Sequence, residues 1–129
     1  MIHKPAVWPL AAALGLLCGT AHAQDDARAA QLAFNNHCRT CHVTNEGDHR
    51  LGPSLYGVIG RESGSAPGFS YSSAMADAGL VWDEATLERF ITNPEAVVPG
   101  NNMKPFSGIA DAEERAKIIA HLKAESDGQ

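Results

Sequence analysis

Positive charge is scarce in this sequence. Its 129 residues include ten Lys and Arg against fifteen Asp and Glu, a formal net charge of −5 at neutral pH. Domains that bind nucleic acid normally carry a basic surface, so we do not expect nucleic acid as a partner. Internal repeats and low-complexity tracts are missing as well, which excludes a repeat architecture and gives no sign of a linker.

Long apolar runs are also missing. The longest extends from Ala6 to Leu17 behind Lys4, and it is shorter than the ~20 apolar residues that a membrane-spanning helix needs. The small residues of Ala21-His22-Ala23 match the cleavage site of a secretory signal peptide. We therefore predict a cleaved signal peptide at residues 1–23 and one small periplasmic domain at residues 24–129, in preference to an uncleaved membrane anchor.

Cysteine is rare. The chain has three cysteines, and cleavage of the signal peptide would remove Cys18 and leave only Cys38 and Cys41. A lipoprotein anchored on Cys18 is the alternative, but the large Leu17 stands where such a signal needs a small residue. We therefore expect an exported domain with two cysteines.

The alternation typical of β-strands is absent, and three stretches instead predict helices at Asp26–His37, Asp83–Thr92 and Asp111–Ala124. The second stops before Asn93-Pro94, and the third opens with a capping-box-like Asp111-x-x-Glu114. A short fourth helix is predicted from Ser72 to Ala78. The apolar faces of the second and third helices carry Leu87, Phe90, Ile91, Ile118, Ile119 and Leu122. We expect an all-α fold.

The segment from Val43 to Tyr71 is rich in glycine, contains two prolines and has neither the helical nor the strand period. So long an irregular segment in a small domain is either disordered or surrounds something. Its apolar residues are too numerous for a solvated linker: Leu51, Leu55, Tyr56, Val58, Ile59 and Phe69. We therefore expect this loop to pack against a bulky apolar group that three short helices do not supply.

The pentad Cys38-Arg39-Thr40-Cys41-His42 indicates what that group is. In an exported protein, C-x-x-C-H is the attachment motif of c-type haem, in which both thiols bond the porphyrin and the histidine ligates the iron. Three alternatives are weaker. A disulfide would close almost no loop, a thioredoxin-like redox pair needs a βαβ setting, and a zinc site needs four ligands.

The sixth iron position decides what such a haem can do. An open position allows oxygen, peroxide or small-gas chemistry, whereas a second protein ligand leaves an electron carrier. Met103 is the preferred ligand because Pro99-Gly100 and Pro105 restrict its non-helical loop, and Met75 is the second candidate. We expect ordinary surface or packing roles for the nearby histidines His37, His49 and His121.

From about Ala29 to Lys123 the chain resembles a small class I cytochrome c of the soluble bacterial and mitochondrial type. The resemblance is carried by motifs in a specific order: Phe34, CRTCH, GPSLYGVIGR, APGFSYS, Trp82, NPEAVVPG, Met103 and Gly108-Ile109. It implies an all-α fold in which the terminal helices cross and long loops wrap one covalently bound haem c. It also implies His42 and Met103 as the axial pair.

The resemblance gives the irregular loop specific roles. It implies that the carbonyl of Pro53 accepts the second imidazole N–H of His42 and so fixes the ring. It also implies that Arg61, Tyr71 and Trp82 bond and balance the haem propionates, although Tyr71 and Trp82 would serve equally as core packing.

Four positions depart from the family pattern. Ala30 stands where a glycine is usual at the helix crossing, and His121 replaces an aromatic residue on the facing helix. We expect a wider or less stable crossing. Phe90 replaces a common tyrosine that bonds the axial sulfur, and Asn101 replaces a common threonine. The usual polar network around Met103 is therefore not assumed.

The resemblance implies an electron carrier, not an enzyme. We expect a monomer that docks transiently with membrane redox complexes, such as those of a respiratory chain, and that has no small-molecule substrate. The alternatives are a haem enzyme or gas sensor with an open or labile distal site, and a bound electron-input module of a terminal reductase or oxidase.

Docking is expected to depend on salt, but less strongly than docking of a lysine-rich relative. Mitochondrial relatives carry lysines around the haem edge, whereas the equivalent stretches of this chain carry His37, Glu95 and Asn102. Some positive charge remains near the expected haem edge on Arg39, Arg50 and Lys104.

Overall fold

The computed structural model describes residues 1–4 and 19–128, and its regular elements are helices. In chain order they are α1 (Gly19–His37), α2 (Ser73–Ala76), α3 (Glu84–Thr92), α4 (Pro94–Val97) and α5 (Ala112–Asp127). Within these residues the strand-like pairing is one isolated bridge between Glu62 and Val81. The all-α prediction is confirmed. No helix in this part of the chain is both long and apolar enough to cross a membrane.

The predicted signal peptide falls mostly outside the described residues, because the apolar run and Cys18 lie within residues 5–18. The predicted cleavage site lies inside α1, which begins at Gly19 instead of the predicted Asp26. No proline interrupts this alanine-containing stretch. Residues 19–28 are all exposed, and the first buried side chain of α1 is Ala30. The packed part of the helix therefore begins after the predicted site.

The helices α3 and α5 begin behind the predicted caps, and α3 ends at the predicted Thr92, whereas α5 continues to Asp127, three residues beyond the predicted Ala124. Asp83 accepts the backbone N–H of Thr86 at 2.7 Å, and Asp111 accepts those of Glu113 and Glu114 at 2.8 and 3.3 Å. Only the Asp111 half of the predicted capping box forms, because the Glu114 side chain is directed to other partners. The Glu114 carboxylate contacts His37 at 3.4 Å and Lys117 at 3.0 Å.

The short helix α4 was not predicted. Asn93-Pro94 was interpreted only as the end of α3, but the same residues begin a new helix. The Asn93 side chain accepts the N–H of Ala96 at 3.2 Å, and Pro94 occupies the first helical position, where its missing N–H has no cost. The predicted fourth helix, α2, forms behind its Ser72 cap and ends at Ala76, two residues earlier than expected.

The core lies where α1 crosses α5 and where α3 packs against α4 and α5. Ala30 is buried at its position on α1, and the predicted apolar faces of α3 and α5 are buried. The rings of Phe34 and His121 pack across the crossing with centroids 4.7 Å apart. Val58 of the irregular loop is 2% exposed and belongs to the same core, whereas Leu51 of that loop is 79% exposed on the surface of the protein chain.

Arg115 of α5 ties three parts of the chain together. It lies on the apolar stripe of its helix, and its Nε donates to the Glu88 carboxylate of α3 at 2.7 Å. Its Nη1 donates to the carbonyls of Ile109 and Ala110, both at 2.8 Å. The loop that carries Met103 is therefore anchored at its far end to the helical core.

Candidate haem site

The motif from Cys38 to His42 forms a tight turn at the end of α1. The N–H of Cys38 still donates to the carbonyl of Phe34 at 2.8 Å, so the helix positions the first cysteine. The carbonyl of Cys38 then accepts the N–H groups of Cys41 and His42 at 3.0 and 2.9 Å. Both thiols are half-buried and free, and His42 is only 7% exposed. The turn therefore presents two unpaired thiols and one imidazole together.

The chemistry of the thiols argues against the alternatives considered for this motif. Burial, reinforced by the nearby Cys41, raises the pKa of Cys38 to about 12. This change is opposite to the lowered pKa that is typical of a reactive cysteine in a redox pair. In residues 1–4 and 19–128 no three His, Cys, Asp or Glu side chains cluster in a way that could hold a metal ion.

The imidazole of His42 has one defined orientation. Its Nδ1 lies 2.8 Å from the carbonyl oxygen of Pro53, the contact that the resemblance implies. A carbonyl only accepts, so Nδ1 carries the proton and Nε2 has its lone pair free. Burial lowers the pKa of His42, and Arg61 lowers it further, while the bond to Pro53 acts in the opposite direction. The neutral ring that results is the form that binds metals.

Gly52 leaves the space in which this ring lies. A Cβ at residue 52 would be 2.2 Å from His42 Cε1 and 2.7 Å from both ring nitrogens. The N–H of Gly52 donates to the carbonyl of Cys41 at 2.8 Å, which holds the loop against the motif. Sequence reasoning did not single out this glycine, although it directly precedes Pro53 and is the only residue type that fits so close to the ring.

Arg61 has an unfilled hydrogen-bonding position. Its Nη1 and Nη2 donate to the carbonyls of Tyr56 at 2.7 Å and Ser54 at 3.0 Å. Its Nε is buried and has no partner within the described part of the chain. A buried guanidinium N–H without an acceptor is costly, and a carboxylate such as a haem propionate would satisfy it. The residues present therefore fit the cofactor that the motif predicts.

The other two predicted propionate partners lie near Arg61. The backbone N–H of Trp82 donates to the carbonyl of Arg61 at 2.8 Å, and its buried ring packs 4.9 Å from that of Phe90. The hydroxyl of Tyr71 accepts the backbone N–H of Ala66 at 3.1 Å. Both residues thus have structural contacts of their own, which leaves their proposed role toward a propionate as a prediction.

The loop of Met103 is held by Asn101. The Asn101 side chain is 3% exposed; its Nδ2 donates to the carbonyl of Val98 at 2.9 Å and its Oδ1 accepts the N–H of Met103 at 2.9 Å. Met103 and the competing candidate Met75 are both half-buried against the core. A polar network beside Met103 was not assumed from the sequence, and Asn101 provides one through the backbone.

Glu95 anchors the same loop from its surface side. Its carboxylate accepts the N–H of Gly100 at 3.0 Å, the Asn101 amide at 3.3 Å and the Lys104 ammonium at 3.1 Å. The bond from Gly100, followed by that from Lys104, lowers the pKa of Glu95. Two of the three cations expected near the haem edge are therefore paired, Lys104 with Glu95 and Arg50 with Asp48 at 2.7 Å.

An open cleft of about 630 Å³ lies between the end of α1, the segment after Met103 and the start of α5. His37 and Glu114 face each other across it at 3.4 Å. Asp111 adds a second carboxylate and Phe106 an apolar surface. This face of the molecule is therefore not strongly basic.

Comparison with known proteins agrees with this geometry. The family model described as Cytochrome c matches residues 27–125. Cytochrome c of Chlamydomonas reinhardtii is 45% identical over 104 residues, which cover 80% of this chain and 91% of that protein. Cytochrome c of Euglena viridis is 40% identical over 102 residues, covering 79% and 99%. The solved structure of cytochrome cH from Methylobacterium extorquens superposes with a TM-score of 0.70 at 40% identity and covers 77% of this chain and 98% of that one.

Proposed function

We propose that this chain, which belongs to the cytochrome c family, is a soluble periplasmic electron carrier with histidine and methionine as its axial ligands. The cofactor is one haem c, attached at the Cys-x-x-Cys-His motif. When bound, the haem iron supplies a site that cycles between ferrous and ferric. The protein orients it, shields it from water and sets its potential.

The observation that carries this proposal is the 2.8 Å contact between His42 Nδ1 and the Pro53 carbonyl. It leaves Nε2 as the nitrogen available to iron and raises the basicity of the ligand. Cys38 and Cys41, on the same turn, would form the two thioether bonds. The unsatisfied Nε of Arg61 would receive a propionate, with Tyr71 and Trp82 close by.

Met103 is the proposed second axial ligand. Its loop is irregular, and the Asn101 side chain restrains its backbone N–H at 2.9 Å. A thioether on so restrained a loop can be held at a constant distance with little loss of entropy on ligation. Met75 is on the four-residue helix α2, where packing is the ordinary role of methionine.

The ligands are tested by the visible spectrum of the purified protein. Ferric haem with a methionine ligand has a weak far-red band, and a closed ferrous site does not bind carbon monoxide. We expect the band and no binding of carbon monoxide in the wild-type protein and in Met75→Leu, and loss of the band with binding in Met103→Ala. A wild-type protein that lacks the band and binds carbon monoxide would instead support the haem enzyme or gas-binding alternative.

Export is proposed from the signal-peptide pattern, with cleavage after Ala23. In support, residues 19–28 are exposed, so cleavage there would remove no buried side chain from the described part of α1. Expression of the full chain with its natural leader, followed by mass spectrometry of the haem-bearing product, tests this. A mature amino terminus at Gln24 is expected, and a haem protein that keeps residues 1–23 would contradict it.

The proposed partners are membrane redox complexes that dock transiently with the monomer. Because Arg50 and Lys104 are paired with carboxylates, little unpaired positive charge is available to steer docking. We therefore expect the rate of reduction by the physiological donor to fall only modestly as ionic strength rises. A steep fall, like that of a lysine-rich carrier, would contradict this account of the surface.

A further inference from the structure

One peptide group joins two histidines on opposite sides of the loop. The carbonyl of Pro53 accepts the N–H of His42 Nδ1 at 2.8 Å. The N–H of the same peptide group, which belongs to Ser54, donates to Nδ1 of His49 at 3.0 Å. The imidazole assigned as an iron ligand is therefore connected to a second imidazole through a single amide plane.

His49 is held in the tautomer that this arrangement needs. Its Nε2 lies 2.7 Å from the carbonyl of Pro67, so Nε2 carries the proton and donates. Its Nδ1 is then the acceptor that the Ser54 N–H requires. The ring also packs against Phe69, with centroids 5.6 Å apart. The ring is thus restrained by two hydrogen bonds and one aromatic contact.

Hydrogen bonds in such a chain polarise one another. When an amide N–H donates to a good acceptor, electron density shifts toward its carbonyl oxygen, which then accepts more strongly. A stronger acceptor at Pro53 draws the Nδ1 proton of His42 and makes that ring a better donor to a metal at Nε2. More electron donation to the iron stabilises the ferric state.

We propose that His49 is a positioning residue that tunes the axial ligand His42 through the Pro53–Ser54 peptide group. The two hydrogen bonds of His49 go to Pro67 and Ser54, not to His42 or to the Met103 loop. The effect of His49 on His42 therefore passes through the peptide group that they share. The inference rests on the proposed function, because it assumes that His42 ligates haem iron.

The direct test is NMR of the ferrous, haem-loaded protein with uniform nitrogen-15 label. An electron-mediated coupling between the Ser54 amide nitrogen and His49 Nδ1 is expected, since the two are joined by an N–H···N bond. In His49→Phe the Nδ1 proton signal of His42 should move upfield as its bond to Pro53 weakens. In His49→Gln, whose amide can accept and donate across a similar span, the signal should stay near its wild-type position.

The second readout is the midpoint potential. We expect His49→Phe to shift the redox equilibrium toward the ferrous state by roughly two- to fivefold, which is roughly 18 to 41 mV at 59 mV per tenfold for one electron. His49→Gln should recover most of this shift. His121→Phe, the same substitution at the helix crossing, should leave the potential unchanged.

A purely structural role for His49 would give a different pattern. Phe69→Leu loosens the packing of the same ring but keeps both of its hydrogen bonds, so we expect no change in potential. Equal shifts of the midpoint potential in Phe69→Leu and His49→Phe would overturn the proposal. So would the absence of both the potential shift in His49→Phe and the coupling between the Ser54 nitrogen and His49 Nδ1, in a protein that retains the far-red band. Either result would leave the proposed function unaffected. A wild-type protein without that band would instead refute the function itself.

Discussion

The side-chain oxygen of Asn101 accepts the backbone N–H of Met103 at 2.9 Å, while the amide nitrogen of the same side chain donates to the carbonyl of Val98. One buried side chain therefore closes the turn that leads to the proposed sulfur ligand. Glu95 supports it from outside by accepting the N–H of Gly100. The position of Met103 thus depends on polar contacts two to eight residues before it.

Asn101→Ala should weaken this turn. It removes the side-chain bonds to Val98, Glu95 and Met103 and leaves the Met103 N–H without its partner, so we expect a loss of about 1–3 kcal/mol in the free energy of unfolding. Urea titration of the ferric protein, followed by the far-red band, measures it. Asn102→Ala, at the exposed neighbouring position, is the control; equal losses in the two variants would contradict the role of Asn101.

Phe90→Tyr should raise the midpoint potential. Phe90 is buried and packs on Trp82 at 4.9 Å, and the family resemblance assigns its position to a hydroxyl that bonds the axial sulfur. Such a bond withdraws electron density from the sulfur and disfavours ferric iron. A net effect of about 1 kcal/mol corresponds to about 40 mV for one electron. Redox titration measures the shift, with Phe69→Tyr as the control, and identical midpoints would count against it.

Local signals predicted much of this fold. The helices α3 and α5 were predicted because each has an acidic cap and an apolar stripe within a few residues, and those features act locally. The attachment motif was recognisable for the same reason, since its spacing alone carries the chemistry. The helix α4 was missed because Asn93-Pro94 ends one helix and begins another, and only the end was considered.

Contacts between distant parts of the chain could not be predicted. Arg115 looks like a polar interruption of the α5 stripe until Glu88 and the carbonyl of Ile109 are brought beside it. His49 looks like a surface histidine until folding places it between Ser54 and Pro67. The pairing of Lys104 with Glu95 could not be predicted either, because it depends on the fold of the Met103 loop.

Gly52→Ala should impair seating of the proposed axial histidine. The added methyl group would lie 2.2 Å from His42 Cε1, so the ring or the loop must move. We expect a large fall in the yield of haem-bearing protein, or a spectrum without normal histidine ligation. Gly47→Ala is the control, because its φ of 67° makes alanine strained there but no atom lies within 4 Å. That strain costs about 1–2 kcal/mol, and the control should still load haem normally.

Arg115→Met should destabilise the protein by about 2–3 kcal/mol, because it leaves the buried carbonyl of Ile109 unsatisfied. The loss should stay below that for breaking a fully buried ion pair, since the Glu88 side chain is 43% exposed and can be hydrated. Glu88→Gln keeps an acceptor for Arg115 and should cost less than about 1 kcal/mol. Chemical denaturation of both variants gives the comparison; a larger loss for Glu88→Gln would contradict it.

His121 should make the stability of the helix crossing depend on pH. Its ring packs 4.7 Å from that of Phe34, and burial lowers its pKa below the ordinary value, partly opposed by the Glu125 carboxylate. Above pH ~6.5 the ring is neutral in both folded and unfolded chains. As the pH falls through that value the unfolded chain takes up the proton first, so the folded state loses stability until the pH drops below the lowered pKa.

Replacement of His121 by phenylalanine removes this proton uptake and restores an aromatic contact with Phe34. Urea unfolding at pH 7.5, 6.5 and 5.5 should therefore show a difference between His121→Phe and wild type that grows as the pH falls. Glu125→Gln should change the wild-type profile in the opposite sense, because it removes the charge that favours protonated His121 and so deepens the loss at low pH. If the free energies of unfolding of wild type and His121→Phe instead changed in parallel with pH, the prediction would be contradicted. The His121 ring would then titrate alike in the folded and unfolded chains, and its packing against Phe34 would exclude no water.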